Sequence, residues 1–198
     1  MNYPTVYNPG YHGHVMADSS TFQRYFKKAG ELVKDGDVVW DDATGSGIVA
    51  WLVYQASKNK ASVGRLASDL NALAVANALH LADEAGFELE TAVSDTTERK
   101  FPFGDVQVKL ATSNSPAIFL ASPVRMSGPA FHWDDDVGGA YAQGFASIIA
   151  KALLPNGLAM SWNALPTPRT ALSSCFKASA ISRSALPASS LREMGPSR

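Results

Sequence analysis

Two adjacent carboxylates, Asp41 and Asp42, follow the short apolar run 38–40 and stand directly before a loop of small residues, 43–47. The apolar run 48–54 after the loop predicts a helix. Strand, glycine turn and helix together are the layout of a nucleotide-type binding site. Glycines let the backbone approach a ligand closely, and the helix N-terminus offers unpaired N–H groups.

The loop fits two kinds of ligand. The run from Gly45 to Ala50 matches the G-x-G-x-x-G/A dinucleotide fingerprint, and Asp69 lies about 20 residues further on, where such folds place an acid against a ribose. A dinucleotide, however, brings a pyrophosphate to this turn, and Asp41 and Asp42 would repel it. S-adenosylmethionine carries an ammonium and a sulfonium and no phosphate. We therefore predict S-adenosylmethionine as cofactor, with an NAD(P)-dependent oxidoreductase as an alternative.

The composition is that of one globular domain with an added tail. A chain of 198 residues with 46% hydrophobic and 18% charged residues suits a packed core. A net charge of −1 gives no electrostatic reason to expect nucleic-acid or membrane partners. We see no signal peptide and no long apolar run, so we expect a cytoplasmic protein. A single cysteine, Cys175, excludes an internal disulfide.

Alternating strand and helix patterns run along the chain. Helices are predicted at about 20–33, 48–57, 71–85 and 137–153, and strands at 38–40, 62–68, 87–93, within 106–120, and at 158–162 after a turn at 155–157. This alternation predicts an α/β fold: a Rossmann-like, doubly wound, mostly parallel sheet with helices on both faces.

We divide the chain into an irregular segment 1–19, a domain 20–163 and an atypical Ser/Pro/Arg-rich tail 164–198. No alternating apolar run of useful length is evident after Asn163. We therefore expect the sheet to be truncated after strand five, which would then be an exposed edge. Exposed edges pair with other chains, so a homodimer through that edge is predicted.

Four motifs in this order resemble the class I S-adenosylmethionine-dependent methyltransferases, most closely the UbiE-like small-molecule enzymes common in fungal metabolism. The motifs are Trp40 to Gly47, Asp69-Leu70-Asn71, Ser94-Asp95 with the turn 101–105, and Ala152 to Gly157 with Ser161-Trp162. Ala43 and Asn156 stand where the family has glycine, and asparagine accepts left-handed backbone geometry. The helix and two-strand hairpin that close the family's sheet are not evident here.

The resemblance implies which residues bind the cofactor. They are Asp41, Ala43, Gly45, Gly47, Asp69, Leu70 and Asp95. By the resemblance Asp41 acts near the methionine end, directly or through water, Asp69 accepts from the ribose, and Asp95 lies beside the adenine amino group. Each acid also has a simpler interpretation: Asp41 caps the next helix, Asp69 caps the helix at 71, and Asp95 is a solvated loop acid.

His132, in an aromatic-rich turn that the resemblance places near the substrate, is the candidate catalytic residue. As a general base it would deprotonate a hydroxyl or phenol of the acceptor. A packing histidine is the alternative. The acids 134–136 stand before a helix and are interpreted as N-terminal capping, so no metal is predicted.

The resulting hypothesis is methyl transfer from S-adenosylmethionine to a small organic acceptor. Besides the oxidoreductase, one further alternative stays open. It is a non-catalytic or decayed methyltransferase-like protein that binds the cofactor without turnover.

Overall fold

The computed structural model describes residues 20–114, 135–165 and 175–182. The helices are α1 (Ser20–Glu31), α2 (Ile48–Ser57), α3 (Ala72–Ala85) and α4 (Asp135–Ala152), with a short 3₁₀ helix at Thr96–Glu98. The strands are β1 (Val38–Asp42), β2 (Gly64–Asp69), β3 (Glu90–Val93), β4 (Val108–Asn114), β5 (Leu153–Leu165) and β6 (Cys175–Ser182). The irregular segment predicted at 1–19 lies outside the described residues.

The strands form one sheet in the order β3-β2-β1-β4-β5-β6. Neighbouring strands from β3 to β5 pair in parallel, and β6 pairs antiparallel with β5. The predicted α/β fold with a Rossmann-like, mostly parallel sheet is confirmed. In a parallel sheet the carboxyl ends of the strands lie at one edge, so the acids that end β1 and β2 are brought there together.

The sheet does not end at strand five. Leu158 to Leu165 of β5 pair with β6, so the predicted exposed edge is wrong and part of the predicted tail belongs to the sheet. The boundary drawn at 163 also falls inside β5. The missed signal is a weak alternation in which Phe176, Ala178 and Ala180 are separated by polar residues. The edge on which the homodimer prediction rested is covered by the chain itself.

The turn predicted at 155–157 is an irregularity within β5. Val108 pairs with Leu153 and Leu110 with Leu158, so two steps along β4 match five along β5. Neither Asn156 nor Gly157 has a positive φ, so the left-handed geometry expected at Asn156 is absent. Pro155 has no N–H group to donate to the ladder, which is a physical reason for the break in pairing.

Both faces of the sheet are covered by buried side chains. On one face Trp40 and Leu66 pack with Tyr141, Phe145 and Ile148 of α4. On the other face the packed residues come from α1 and the residues just after it, β1, α2, β4 and β5, among them Ala29, Val33, Val39, Val53, Leu110 and Met160. Because helices cover both faces of the sheet, the carboxyl ends of the strands are the place where this fold can best bind a ligand.

Candidate functional site

The loop after β1 has three left-handed backbone positions in alternation. The φ angles of Ala43, Gly45 and Gly47 are 52°, 56° and 81°. Glycine adopts this geometry freely, whereas an alanine there costs about 1–2 kcal/mol. Ala43 therefore keeps a geometry that its residue type disfavours. The loop predicted from the small residues is confirmed as a tight turn between β1 and α2.

Gly47 is also required by packing. A Cβ atom at this position would lie 2.9 Å from Cα and 3.0 Å from Cβ of Ala78 in α3. Its backbone carbonyl accepts a hydrogen bond from the N–H of Trp51 in the first turn of α2. Gly47 thus allows α2 to begin directly against α3, which sets the position of the helix N-terminus.

The N–H groups of the loop are largely paired within the protein. The Thr44 N–H donates to the Ser68 carbonyl (3.0 Å) and the Gly47 N–H to the Thr44 carbonyl (2.9 Å). The Gly45 N–H donates to Oδ2 of Asp69 (2.9 Å). Two of these three bonds tie the loop to the carboxyl end of β2.

Asp69 is therefore in contact with the loop, as the nucleotide-type layout predicts. Its other oxygen, Oδ1, accepts the N–H of Asn71 at 2.8 Å. Burial raises the pKa of Asp69, and hydrogen bonds from Asn71, Gly45 and Leu70 act in the opposite direction. The cap of α3 is Asn71, whose Oδ1 accepts the Leu73 N–H, so Asp69 does not cap that helix directly. Leu70 follows Asp69 and is half-buried.

Asp41 lies beneath the loop, where it is only 3% exposed. Its Oδ2 accepts the hydroxyl of Thr44 and its Oδ1 the hydroxyl of Thr112, both at 2.7 Å. Burial raises the pKa of Asp41 to about 7, and a backbone hydrogen bond from Ala50 in α2 is among the contacts that lower it. The carboxylate thus lies near the N-terminus of α2, and its role near the methionine end stays a prediction.

Asp42 is a second buried acid, which the resemblance did not assign to the cofactor. Its carboxylate accepts the hydroxyls of Ser68 (2.9 Å), Thr96 (2.8 Å) and Tyr141 (2.8 Å). Burial raises its pKa to about 6, although these three hydrogen bonds lower it. Nε1 of Trp40 donates to the same Ser68 hydroxyl at 2.9 Å.

Asp95 caps the 3₁₀ helix that follows β3. Its Oδ1 accepts the N–H (2.9 Å) and the hydroxyl (2.6 Å) of Thr97. Within the described part of the chain, its Oδ2 accepts no hydrogen bond. The residue after Asp95 is Thr96, which contacts Asp42, so β1 and the end of β3 are connected here.

Aromatic rings close one side of this region. Trp40 of β1 contacts Phe101 edge-to-face with ring centroids 5.1 Å apart, and Phe145 of α4 at 5.5 Å. Phe101 also contacts Phe103 at 5.5 Å. The turn 101–105, which begins with Phe101-Pro102-Phe103, therefore packs over β1 at Trp40.

None of the three acids Asp41, Asp42 and Asp69 forms a salt bridge within the described residues. The negative charges of these acids also act on one another. Asp42 raises the pKa of Asp41, and Asp69 raises the pKa of Asp42. Buried carboxylates without a cation favour the protonated form, and a nearby positive charge would restore the ionised form.

The remaining predictions fall partly outside the structure. His132 lies outside the described residues. Over 20–114, 135–165 and 175–182, no cluster of His, Cys, Asp or Glu is placed to hold a metal ion. In that same part of the chain, every helix is too short or too polar to cross a bilayer.

No protein-family model matches the chain, and a search of curated proteins found no match. Solved structures do match, among them TrmN from Thermus thermophilus, with 18% identity and a TM-score of 0.53. A SAM-dependent methyltransferase from Aquifex aeolicus matches with 17% identity and a TM-score of 0.52. A SAM-dependent O-methyltransferase from Thermotoga maritima matches with 15% identity and a TM-score of 0.52. The fold is that of the class I methyltransferases.

The alignments differ in how much of each structure this chain spans. The alignment with TrmN covers 71% of this chain and 37% of TrmN. The alignment with the Aquifex protein covers 79% of this chain and 74% of that protein, and the alignment with the Thermotoga protein covers 78% of this chain and 49% of that protein. The chain thus spans less than two thirds of TrmN and of the Thermotoga protein. At these identities the likeness establishes the methyltransferase fold.

Proposed function

We propose that the chain binds S-adenosylmethionine and transfers its methyl group to a small organic acceptor. One observation carries the proposal. Asp41, Asp42 and Asp69 are acids without a cationic partner among the described residues, around a loop of left-handed backbone positions. S-adenosylmethionine has a net positive charge, so it supplies the charge that favours their ionised forms.

The cofactor fits the donor and acceptor groups of this chain. Gly45 and Gly47 let the backbone approach it, and Asp69 lies at the end of β2, where its carboxylate would accept from ribose hydroxyls. Asp95 would take the adenine amino group on Oδ2. A carboxylate has about four acceptor sites, so Asp69 can serve a ligand while it still holds the loop.

The same contacts disfavour the dinucleotide alternative. A pyrophosphate needs free N–H groups and the positive end of a helix. Thr44, Gly45 and Gly47 already donate within the protein, and the Asp41 carboxylate already lies at the N-terminus of α2. A bound pyrophosphate would have to displace these partners and tolerate the neighbouring acids.

The chemistry asked of the protein is modest, because the sulfonium activates the methyl group. The residues of the chain would hold cofactor and acceptor in line and exclude water, which is mainly a proximity effect. His132 remains our candidate for the base that deprotonates the acceptor.

Isothermal titration calorimetry of the purified chain tests the proposal. We expect S-adenosylmethionine to bind, S-adenosylhomocysteine to bind somewhat more weakly because it lacks the sulfonium charge, and NAD⁺ and NADP⁺ not to bind. Tight NADH binding with no response to S-adenosylhomocysteine would contradict the proposal. Binding without transfer to any of a panel of phenols and hydroxy acids would favour the non-catalytic alternative.

A further inference from the structure

A single carboxylate connects four elements at the carboxyl edge of the sheet. Asp42 of β1 accepts from Ser68 of β2, Thr96 of the 3₁₀ helix and Tyr141 of α4. All four residues are buried, and Asp42 itself is 1% exposed. Both oxygens of the Asp42 carboxylate accept hydroxyls of the protein, so its effect on a ligand is through these contacts and its charge and not through a direct hydrogen bond.

Two of the hydroxyl residues that contact Asp42 stand next to a proposed cofactor-binding residue in the sequence. Ser68 directly precedes Asp69, and Thr96 directly follows Asp95. Asp42 itself directly precedes Ala43, the first left-handed position of the loop. One group thus holds the backbone next to three separate parts of the proposed site.

The third contact links this cluster to α4. The Tyr141 hydroxyl donates to Asp42 and shares a 2.8 Å hydrogen bond with the Ser113 hydroxyl of β4. Gly144, one turn further along α4, lies so close to the Thr96 carbonyl oxygen that a Cβ atom there would collide with it. The helix is therefore fitted against both the hydroxyl cluster and the 3₁₀ helix.

We propose that Asp42 is a positioning residue whose ionised carboxylate holds Ala43, Asp69 and Asp95 in the arrangement that binds the cofactor. This inference rests on the proposed function, since it concerns the same site. To that function it adds two points. Asp42 acts on the site without touching the ligand, and binding depends on the charge of Asp42.

The charge matters because of the direction of the hydrogen bonds. An ionised Asp42 accepts from all three hydroxyls, and such charge-assisted bonds are stronger than neutral ones. A protonated Asp42 has a hydrogen of its own to donate. Whichever of the three hydroxyls accepts that hydrogen must turn its own hydrogen elsewhere, and for Tyr141 this means donating to Ser113, which reverses the bonds between Asp42 and Ser113.

The ionised form is kept at a cost in stability. Burial raises the pKa of Asp42 from 3.8 to about 6. Between these two pH values the folded chain binds more protons than the unfolded chain. The stability of the folded chain therefore falls as the pH rises through this range. Among the described residues, the titratable groups facing Asp42 are Asp41 on β1, Asp69 on β2 and Tyr141 on α4. Because the ionised Asp42 lowers the stability of the fold at neutral pH, a functional role would explain why an acid stands at this position.

The test measures affinity for S-adenosylhomocysteine by calorimetry between about pH 5 and 8, a range in which this ligand itself does not titrate. For the wild type we expect affinity to fall below about pH 6, by up to about tenfold per pH unit for one coupled proton. Asp42→Asn should weaken binding about tenfold or more at about pH 8 and remove that component of the pH dependence. Its thermal midpoint should be unchanged or higher, whereas a residue that only supports the fold would lose stability and affinity together.

Tyr141→Phe provides the second variant, which is isosteric and retains the carboxylate. Loss of its hydrogen bond should move the pH at which affinity falls upward, because that bond favours the ionised form. Tyr54→Phe is the matched control, since Tyr54 stacks on Phe87 in a different region and should leave the profile unchanged.

Wild-type affinity in Asp42→Asn at about pH 8, or a profile in Tyr141→Phe that stays in place or moves downward, would overturn the inference. In both cases the wild type still binds, so the proposed function survives. Absence of binding in the wild type would overturn the proposed function and this inference with it.

Discussion

Gly45→Val is expected to abolish binding of S-adenosylhomocysteine while the chain stays folded. Gly45 has a φ of 56°, which a β-branched residue scarcely adopts. Strain of about 1–3 kcal/mol would shift the loop, move the Gly45 N–H away from Asp69, and place a side chain where the ligand approaches. We expect a loss of affinity of about 100-fold or more by calorimetry, with the helical circular dichroism signal retained.

The matched control is Gly36→Val at the opposite end of β1. Gly36 has a φ of 80°, and a Cβ atom there would have nothing within 4 Å. The variant therefore carries comparable backbone strain far from the loop and should bind normally. Normal binding by Gly45→Val, or equal loss in both variants, would show that the loop is not the site.

Asp69→Ala is expected to have the next largest effect. The substitution leaves the N–H groups of Gly45 and Asn71 without their acceptor and removes the proposed partner of the ribose hydroxyls. Each unsatisfied buried group costs about 1–3 kcal/mol, so affinity for S-adenosylhomocysteine should fall by about 10- to 100-fold. Calorimetry measures the affinity, and thermal unfolding measures the accompanying loss of stability.

Asp35→Ala is the control for a lost carboxylate. Asp35 also accepts a backbone N–H, that of Ala61 at 2.8 Å, but on the exposed amino side of the sheet. We expect it to lose some stability and no affinity. If Asp69→Ala bound as tightly as Asp35→Ala, the ribose contact assigned to Asp69 would be wrong.

The loop and the contact of Asp69 with it could be predicted from the sequence, because both depend on local patterns. Small residues after a short apolar run indicate the turn, and an acid at the end of the next strand is brought beside it by parallel pairing. The same holds for α3, whose predicted end at 85 is confirmed, and the next residue, Gly86, has a φ of 72°. These features need no knowledge of distant contacts.

The cluster around Asp42 could not be predicted in the same way. Its members lie at 42, 68, 96 and 141, and they meet only once the sheet and α4 have formed. A signal was nonetheless present, since Ser68 and Thr96 are hydroxyl residues immediately beside the acids Asp69 and Asp95. Hydroxyls next to acids at strand ends are candidates for a shared buried partner.

The end of the sheet was misjudged for a different reason. Half of the residues of β6 are alanine and serine, whose alternation gives little contrast between apolar and polar positions. Its pairing with β5 supplies the hydrogen bonds that strand five would otherwise leave open. Backbone pairing thus specified a strand that hydrophobic patterning does not reveal.

The most direct test of the proposed site is hydrogen exchange of the backbone amides with and without saturating S-adenosylhomocysteine. We predict slower exchange in peptides covering the loop after β1, the end of β2 with the start of α3, and the 3₁₀ helix after β3. The peptide covering α1 should be unchanged, and NAD⁺ should protect none of these segments. Protection confined to other segments, or none with S-adenosylhomocysteine and clear protection with NAD⁺, would contradict the site and the cofactor proposed for it.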